Sequence, residues 1–373
     1  MELTFWLNVL SPHQTPVLRA LAKKGQVAAV VTGRLAEDRL RQGWAEPDVP
    51  NLQVIRISDP IQIPRICERQ AKGHVNMVGG FRGLPMARCI LKELKLRRSR
   101  TGIVTERPDT RGIGGRLRRI LYSSYEKTVH NKVDFILAMG TLGERWFTNC
   151  GWPASRVFPY AYTAERPNIQ PETDPTNEDE FRILYVGQNI KRKGGDILLH
   201  ALKGVEHLKW SCQFVGEGDE VTPWKKLCAD LAISKRVGFA PAVNMVDVPD
   251  LIRGADLLIL PSRFDGWGTV VNEALMQGIP VLCSDSCGAR DLLTEEWRGG
   301  VFKAGSVQSL RELLATWINR GKRTQELTDR IRDWSRCIEG EAVADYLENV
   351  MRHVYNGSPR PVAPWLHNVR TNH

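Results

Sequence analysis

The sequence predicts an α/β protein built from two Rossmann-like domains. Short apolar runs alternate with helical segments near the start of the chain and again from residue 181 onward, as in parallel sheets with helical crossovers. A stretch rich in proline and acid, residues 166–180, separates these two regions and has the composition of an interdomain linker. The length of 373 residues is sufficient for two domains of ordinary size.

Composition narrows the class of protein further. The chain is 42% hydrophobic and 25% charged, which is typical of a soluble globular protein. No apolar run approaches the length of a transmembrane helix, and the first residues lack the basic region of a signal peptide. The eight cysteines form no C-x-x-C pair, so we expect reduced, mostly buried thiols in a cytosolic protein rather than disulfides or a metal site.

The first domain begins with a strand at residues 3–9, a helix from about residue 17 and a second strand at residues 27–32. Thr15 before Pro16 is predicted to cap the helix. The first loop contains no G-x-G-x-x-G, which argues against a dinucleotide cofactor. His13 lies in this loop, at the carboxyl edge of the predicted sheet, and either contacts substrate or makes a structural hydrogen bond.

Further strands are predicted at residues 75–78, 103–105, 134–139 and 157–160, with helices at 114–130 and 141–149. Glu106 follows the strand at 103–105 and should lie at the same edge as His13. Its carboxylate could serve the reaction, or it could form an ion pair with Arg107 or Arg111.

Residues 257–284 are the most informative stretch. They predict a buried strand at 257–260, a glycine-bearing loop at 265–268, a helix at 269–276 and a second buried strand at 279–284. Gly278 is placed as a helix stop. This is one βαβ unit of a parallel sheet.

The loop of this unit has the features of an anion-binding site. Gly266 and Gly268 remove two Cβ atoms where a ligand could approach the backbone, and the helix that follows offers free N–H groups. Asp265 and Glu273 bracket the loop and the first helical turn. Taken alone, they could equally be a turn former and a solvated helix acid.

The pattern P-S-x-x-D-G-W-G-x-x-x-x-E-A-L-x-x-G-x-P-V at residues 261–281 resembles the donor-site signature of the family-4 retaining glycosyltransferases of GT-B fold, the glycosyl transferases group 1. The resemblance implies two Rossmann-like domains facing across a cleft, with a nucleotide-sugar donor on the second. It also implies that Asp265 contacts the sugar and Glu273 the ribose. Asp265 and Trp267 depart from the family's usual glutamate and phenylalanine.

A second motif supports the resemblance. The family pattern V-G-R-x-x-x-x-K-G, whose arginine and lysine bind the donor diphosphate, is matched by Lys193 and Gly194 after a strand at 181–186. Gln188 replaces the arginine, and Lys191 or Arg192 could supply the missing charge. The predicted donor-binding residues are Gly187, Gln188, Lys193, Gly266, Trp267, Gly268, Thr269 and Glu273.

The resemblance also bears on catalysis. In many relatives the strand matching residues 103–105 ends in a histidine that faces the reacting sugar, and here that position is Glu106. The predicted catalytic residues are Asp265, Glu106 and His13, with the acid-base residue left open. The family implies that no metal and no cofactor beyond the nucleotide-diphosphate sugar are needed.

We therefore expect an acceptor-side domain at residues 1–165, completed by a returning segment at 339–373, and a donor domain at 181–338. The predicted reaction moves a sugar from a nucleotide-diphosphate sugar to an acceptor with retention. The alternatives are another GT-B activity, such as a sugar-nucleotide epimerase or phosphorylase, and a non-catalytic sugar-nucleotide binder.

Charge is distributed unevenly between the two domains. Residues 1–165 carry a net +12 and the remainder −2, and the surplus is concentrated at residues 92–100 and 107–119. This predicts an anionic partner, such as a lipid-linked acceptor at the inner face of a membrane that the protein contacts peripherally from the cytoplasm. A solvated basic face is the alternative. A nucleic-acid partner is not expected, because no recognised binding module is present.

Overall fold

A computed structural model describes residues 2–37, 40, 44–71, 73–80, 84, 86–166 and 180–367. These residues form two compact units. The first contains residues 2–37, 45–165 and 338–367, and the second contains residues 40, 44, 166 and 180–337. The linker predicted at 166–180 lies outside the described residues except at its two ends.

The described residues of the first unit form a seven-stranded parallel sheet in the order β3-β2-β1-β4-β5-β6-β7. Its strands are β1 (Glu2–Leu7), β2 (Val27–Val31), β3 (Leu52–Arg56), β4 (His74–Gly79), β5 (Arg100–Thr105), β6 (Phe135–Met139) and β7 (Val157–Tyr160). The helices between them are α1 (Thr15–Ala22), α2 (Ile63–Ala71), α3 (Ala87–Leu96), α4 (Gly112–Val129) and α5 (Gly140–Asn149).

The elements that sequence reasoning missed here are β3, α2 and α3. The edge strand β3 has no buried residue, so it lacks the apolar run that marks β2 and β6, whose residues are all buried. The predicted cap of α1 is wrong. The helix begins at Thr15 itself, and the Thr15 hydroxyl donates to the Ser11 carbonyl (3.0 Å) instead of accepting from the first turn.

The second unit has a six-stranded parallel sheet in the order β10-β9-β8-β11-β12-β13. The strands are β8 (Phe181–Val186), β9 (Trp210–Val215), β10 (Val237–Ala240), β11 (Leu257–Leu260), β12 (Val281–Ser284) and β13 (Gly299–Phe302). The helices are α6 (Gly195–Lys203), α7 (Val221–Asp230), α8 (Val248–Arg253), α9 (Val270–Met276), α10 (Val307–Arg320) and α11 (Gln325–Ser335).

The predicted unit at residues 257–284 is present as β11, α9 and β12, with β11 and β12 paired in parallel. All eight residues of the two strands are buried, which explains why their apolar runs stand out in the sequence. The helix ends at Met276, shortly before Gly278, which has a φ of +79°.

A last helix, α12 (Gly340–Asn356), belongs to the first unit, where it packs along α1. Lys24, in the turn after α1, forms ion pairs with Asp345 and Glu348, and the Tyr355 hydroxyl donates to Asp134 (2.9 Å). At the start of α12, a Cβ on Gly340 would lie 2.5 Å from the backbone carbonyl carbon and oxygen of Pro16. The two helices therefore approach closely enough to require glycine at that position.

No helix in the described part of the chain combines the length and the apolar character needed to cross a membrane.

We expect Gly340→Ala to destabilise the first unit by about 1–3 kcal/mol, because the added methyl group overpacks the contact between α12 and α1. The matched control is Gly114→Ala in α4, where an added Cβ would meet nothing within 4 Å. That change should be neutral or stabilise by about 0.5–1 kcal/mol. The measurement is the free energy of unfolding in urea, and equal effects of the two substitutions would contradict the packing of α12 on α1.

Candidate active site

Two loops of the second unit hold most of the predicted donor-site residues. One connects β8 to α6 and the other connects β11 to α9. Because β8 and β11 pair directly and in parallel, both loops leave the same carboxyl edge of the sheet side by side. In doubly wound sheets, ligands bind at this edge where neighbouring strands send their connections to opposite faces.

A set of hydrogen bonds fixes the spacing between the two loops. The Arg263 N–H donates to the Arg192 carbonyl (2.8 Å), and the Arg263 guanidinium donates to the Lys191 carbonyl (2.8 Å). In return, the Arg192 guanidinium donates to the Phe264 carbonyl (2.9 Å). Residues 191–192 and 263–264 are thus joined in both directions.

The Arg263 guanidinium also donates two hydrogen bonds to Asp196 in the first turn of α6, at 2.7 and 2.6 Å. This two-point ion pair lowers the pKa of Asp196 although burial opposes the shift, and it raises the pKa of Arg263. The pair connects the start of α6 to the β11–α9 loop.

Two glycines allow the close backbone contacts that this arrangement requires. Gly194 has a φ of +71°, and a Cβ there would lie 2.2 Å from the Pro261 carbonyl oxygen. Gly268 has a φ of +97°, and a Cβ there would lie 2.6 Å from Leu260 and 2.8 Å from the Cys287 sulfur. Both positions exclude other residues on conformational and steric grounds.

The spacing brings Lys193 and Asp265 together. Lys193 Nζ lies 2.5 Å from Asp265 Oδ2, and the two side chains are only 16% and 12% exposed. The Ser262 hydroxyl also points to Asp265 Oδ2, at 3.4 Å. The two predicted ligand-binding charges of opposite sign are therefore direct neighbours and neutralise each other in this structure.

Trp267 is placed differently from a ligand-contacting side chain. Its indole is buried (1% exposed) and donates to Asn272 Oδ1 at 2.8 Å. Its carbonyl accepts from the Cys287 thiol (2.7 Å) and the Ala289 N–H (2.9 Å). Because the Trp267 indole is buried beneath the loop, any contact of Trp267 with a ligand would come from its backbone. Asn272, Cys287 and Ala289 were not identified from the sequence, because nothing local marks them as its partners.

Five consecutive backbone N–H groups, those of residues 266–270, have no acceptor among the described residues. They run from the glycine loop, through Thr269, into the start of α9. A row of unpaired N–H groups attracts anions and other hydrogen-bond acceptors. This row lies directly beside the Lys193–Asp265 pair along the chain.

Glu273 completes the second loop's set of polar groups. It lies one helical turn after Thr269, whose carbonyl accepts the Glu273 N–H at 3.1 Å. No described residue donates a hydrogen bond to its carboxylate. Burial raises the pKa of Glu273 to about 7, since the charged form is poorly solvated there. Such a carboxylate is suited to accept hydrogen bonds from hydroxyl groups of a ligand.

Gly187 and Gln188 lie at the end of β8. The Gly187 N–H donates to the Val215 carbonyl (3.0 Å), and the buried Tyr185 hydroxyl donates to the Gln188 carbonyl (2.7 Å). These bonds hold the backbone of the loop, and the neutral Gln188 side chain adds no charge to the site.

His13 and Glu106 belong to the first unit, at the carboxyl edge of its own sheet. The His13 carbonyl accepts from the Thr163 N–H (3.1 Å) and hydroxyl (3.3 Å), so the first loop is tied to the segment after β7. The Glu106 carboxylate accepts a hydrogen bond from Tyr162, and together with burial it raises the pKa of that phenol well above its ordinary value. Tyr162 was missed from the sequence.

Of the two arginines considered as ion-pair partners of Glu106, Arg111 binds Asp109 through its Nε and Nη2, at 2.9 and 2.7 Å. That pairing lowers the pKa of Asp109.

The cysteines are reduced and mostly buried. All eight cysteines are free thiols; six are buried, while Cys337 is half-buried and Cys89 exposed. Among the described residues, no group of three or more His, Cys, Asp or Glu side chains is arranged to hold a metal ion.

The chain is similar in sequence and in fold to known proteins. Residues 168–334, which include both loops, match the family described as Glycosyl transferases group 1. The chain is 31% identical over 123 residues to the uncharacterized glycosyltransferase MJ1607 of Methanocaldococcus jannaschii, covering 33% of this chain and 32% of that protein. It is 30% identical over 159 residues to the lipopolysaccharide glucosyltransferase WaaG of Escherichia coli K12, covering 41% and 42%. The matched segment thus spans less than half of each relative.

Among solved structures, the crystal structure of Anabaena Alr3699/HepE in complex with UDP superimposes with a TM-score of 0.71 at 15% identity. The match covers 94% of this chain and 99% of that one. A likeness at this identity concerns the fold. Residues 168–334 therefore carry a Glycosyl transferases group 1 domain, and the chain has the GT-B fold predicted from its sequence.

Proposed function

We propose that the protein is a retaining glycosyltransferase that moves a sugar from a nucleotide-diphosphate sugar to an acceptor. One observation carries the proposal: the adjacent donor loops bring Lys193 and Asp265 together, next to a row of unpaired N–H groups and the unpartnered Glu273. A cation with amide donors suits a diphosphate, while carboxylates suit the hydroxyls of ribose and sugar. The match to Glycosyl transferases group 1 supports the same assignment.

Each residue has a role in this proposal. Lys193 neutralises the charge that develops on the leaving diphosphate, assisted by the N–H groups of residues 266–270. Asp265 accepts hydrogen bonds from the donor sugar, and Glu273 accepts them from the ribose. Because the protein itself supplies this positive charge, the proposal includes no metal and no cofactor besides the donor.

We assign the acceptor to the first unit, where His13 and Glu106 lie at the carboxyl edge of the sheet. The Tyr162 hydroxyl donates to Glu106. A carboxylate at this edge is a candidate to accept the proton of the acceptor hydroxyl. Asp265, Glu106 and His13 are the proposed catalytic residues.

We further propose that the acceptor is presented at an anionic membrane surface from the cytoplasmic side. On α4, the apolar side chains of Leu117, Ile120 and Leu121 are 61%, 65% and 57% exposed, and Arg118 and Arg119 beside them are exposed as well. Exposed apolar residues at helical spacing with adjacent arginines suit the boundary between lipid headgroups and acyl chains.

The second segment considered for membrane contact, around α3, exposes a single leucine, Leu96, at 66%. Leu91 and Leu94 are buried in the core of the first unit. Arg97 is paired with Glu93 and also donates to the Pro64 carbonyl (3.2 Å). The proposal of membrane contact therefore rests on α4.

The first prediction from the proposed function tests donor binding through Lys193→Ala. We expect the variant to lose about 1.5–3 kcal/mol of affinity for a nucleoside diphosphate, because a charge-assisted contact is removed. Affinity for the corresponding nucleoside should change little. The measurement is a thermal-shift and calorimetric screen with UDP, GDP, ADP and dTDP and their sugars, followed by turnover with a panel of acceptors.

The same screen separates the functional classes. Transfer with the donor's anomeric configuration retained, seen by NMR of the product, supports the proposal. Epimerisation or phosphorolysis of the donor without an acceptor would assign another GT-B activity. Binding of nucleotide sugars without turnover on any acceptor would point to a binding protein, and binding of no nucleotide at all would refute the donor site.

The second prediction concerns Glu273 and pH. Ribose hydroxyls donate to the ionised carboxylate, so a bound nucleotide lowers the Glu273 pKa from its value of about 7 in the free protein. Binding then releases a proton below that pH. Affinity should therefore rise with pH up to about 7 and level off above it, by roughly tenfold in total.

Calorimetry of nucleoside diphosphate binding between about pH 5.5 and 8 measures this dependence. Since the ligand phosphate also titrates in this range, the quantity of interest is the difference between wild type and Glu273→Gln. Glu326→Gln, at an exposed acid in the first turn of α11, is the control. The same pH profile in wild type and Glu273→Gln would remove Glu273 from the ribose site.

The third prediction tests membrane contact. The protein should co-sediment with vesicles containing anionic lipid at low salt and dissociate at high salt. Arg118→Ser with Arg119→Ser should weaken binding by about 2 kcal/mol, roughly thirtyfold. The control is Lys225→Ser with Lys226→Ser, a pair of exposed basic residues on α7.

Replacement of Leu117 and Ile120 by Ser should weaken vesicle binding without altering its dependence on salt. Absence of binding to anionic vesicles at low salt would assign the basic face to a soluble acceptor. Association through α4 with a second copy would appear as a dimer in sedimentation equilibrium, and that dimer would be lost in the Leu117 and Ile120 variants.

A further inference from the structure

The donor loop of the second unit carries an unusual neutral side chain. Where the resembling motif has a diphosphate-binding arginine, this chain has Gln188. A diphosphate carries more negative charge than Lys193 alone can neutralise, and planar guanidinium groups bind phosphate oxygens at two points. A second cation beside Lys193 would supply the missing positive charge.

The two basic neighbours of Lys193 differ in placement. Lys191 is exposed, and its carbonyl serves as an acceptor for Arg263. Arg192 is half-buried, and its guanidinium reaches across to the β11–α9 loop, where Nη1 donates to the Phe264 carbonyl at 2.9 Å. Its Nε and Nη2 groups have no acceptor among the described residues.

This bond places the Arg192 guanidinium within the donor site. Phe264 immediately precedes Asp265, which holds Lys193 at 2.5 Å. The buried Tyr185 hydroxyl, which donates to the Gln188 carbonyl at 2.7 Å, is within electrostatic reach of both Asp265 and Arg192. Burial and Asp265 raise the pKa of Tyr185, while Arg192 lowers it. The Arg192 charge thus acts on the hydroxyl group that holds the Gln188 carbonyl.

The other arginine at these loops, Arg263, is bound to groups of the protein itself. Arg263 donates two hydrogen bonds to Asp196 and one to the Lys191 carbonyl, so its guanidinium holds the loops together. Arg192 donates one guanidinium N–H within the described residues and forms no ion pair there, whereas Arg263 donates three and has its charge balanced by Asp196. Arg192 therefore keeps more of its N–H groups, and its full charge, for a ligand.

We propose that Arg192 supplies the second cation of the donor diphosphate site, in place of the arginine absent at position 188. The inference rests on the proposed function, and the ligand class it concerns is the diphosphate of a nucleotide sugar. The Phe264 carbonyl holds one edge of the guanidinium, and the remaining N–H groups meet phosphate oxygens across from Lys193.

The test compares Arg192→Gln, Lys191→Gln and the double variant Gln188→Arg with Arg192→Gln. The readout is the ratio of affinity for a nucleoside diphosphate to affinity for the same nucleoside, measured by calorimetry. We expect Arg192→Gln to lower this ratio about tenfold or more, as for loss of a charge-assisted contact. Lys191→Gln should leave it within about twofold. An arginine at position 188 should restore most of the loss.

The outcomes separate this inference from the proposed function. If the nucleoside diphosphate binds and depends on Lys193, while Arg192→Gln leaves the ratio unchanged, the inference is overturned and the donor site stands. If no nucleoside diphosphate binds wild type, both fail. Should Arg192→Gln weaken nucleoside and diphosphate binding equally, Arg192 only supports the loop, and the double variant would then show no rescue.

Discussion

The ion pair between Lys193 and Asp265 is the interaction on which the candidate site depends. Both side chains are mostly buried, and an unpaired charge in such surroundings would cost several kcal/mol. In this structure each charge compensates the other. In the proposed function, the diphosphate becomes the new partner of Lys193, and Asp265 accepts hydrogen bonds from sugar hydroxyls. Lys193 then has an anionic partner both with and without a donor, whereas Asp265 exchanges an ion pair for hydrogen bonds.

The position of this pair is set by structural contacts of residues to which we assign no role in the reaction. Strands β8 and β11 are neighbours, so their loops run side by side, and Arg263 with Asp196 fixes the remaining distance. Below the second loop, the buried Trp267 indole and its hydrogen bond to Asn272 hold the backbone in place. Side chains held on such a rigid scaffold need to move little when a ligand binds.

The sequence predicted the second unit better than the first, and the reason is burial. Strands β11 and β12 are buried throughout and bounded by glycine and proline, so local pattern alone identifies them. The exposed edge strand β3 has no such pattern. Among site residues, Lys193, Asp265 and Glu273 were identified because a motif fixes their spacing. The Arg263–Asp196 pair and the Tyr162–Glu106 contact join residues more than 50 positions apart, and only the strand order brings them together.

The raised pKa of Glu273 lowers the free energy of unfolding at neutral pH. Its folded-state pKa of about 7 exceeds the ordinary value of 4.5. Between these pH values the folded state therefore binds more protons than the unfolded state, and this group's contribution to stability declines as pH rises. A hydrogen bond donated to the carboxylate by another group of the protein would reduce this loss of stability. No such hydrogen bond is present among the described residues. In the proposed function, the ribose hydroxyls supply such donors, so the group that lowers the stability of the folded protein becomes a source of affinity. A raised pKa is expected of a functional carboxylate, whereas a fully solvated helix acid would keep its ordinary pKa.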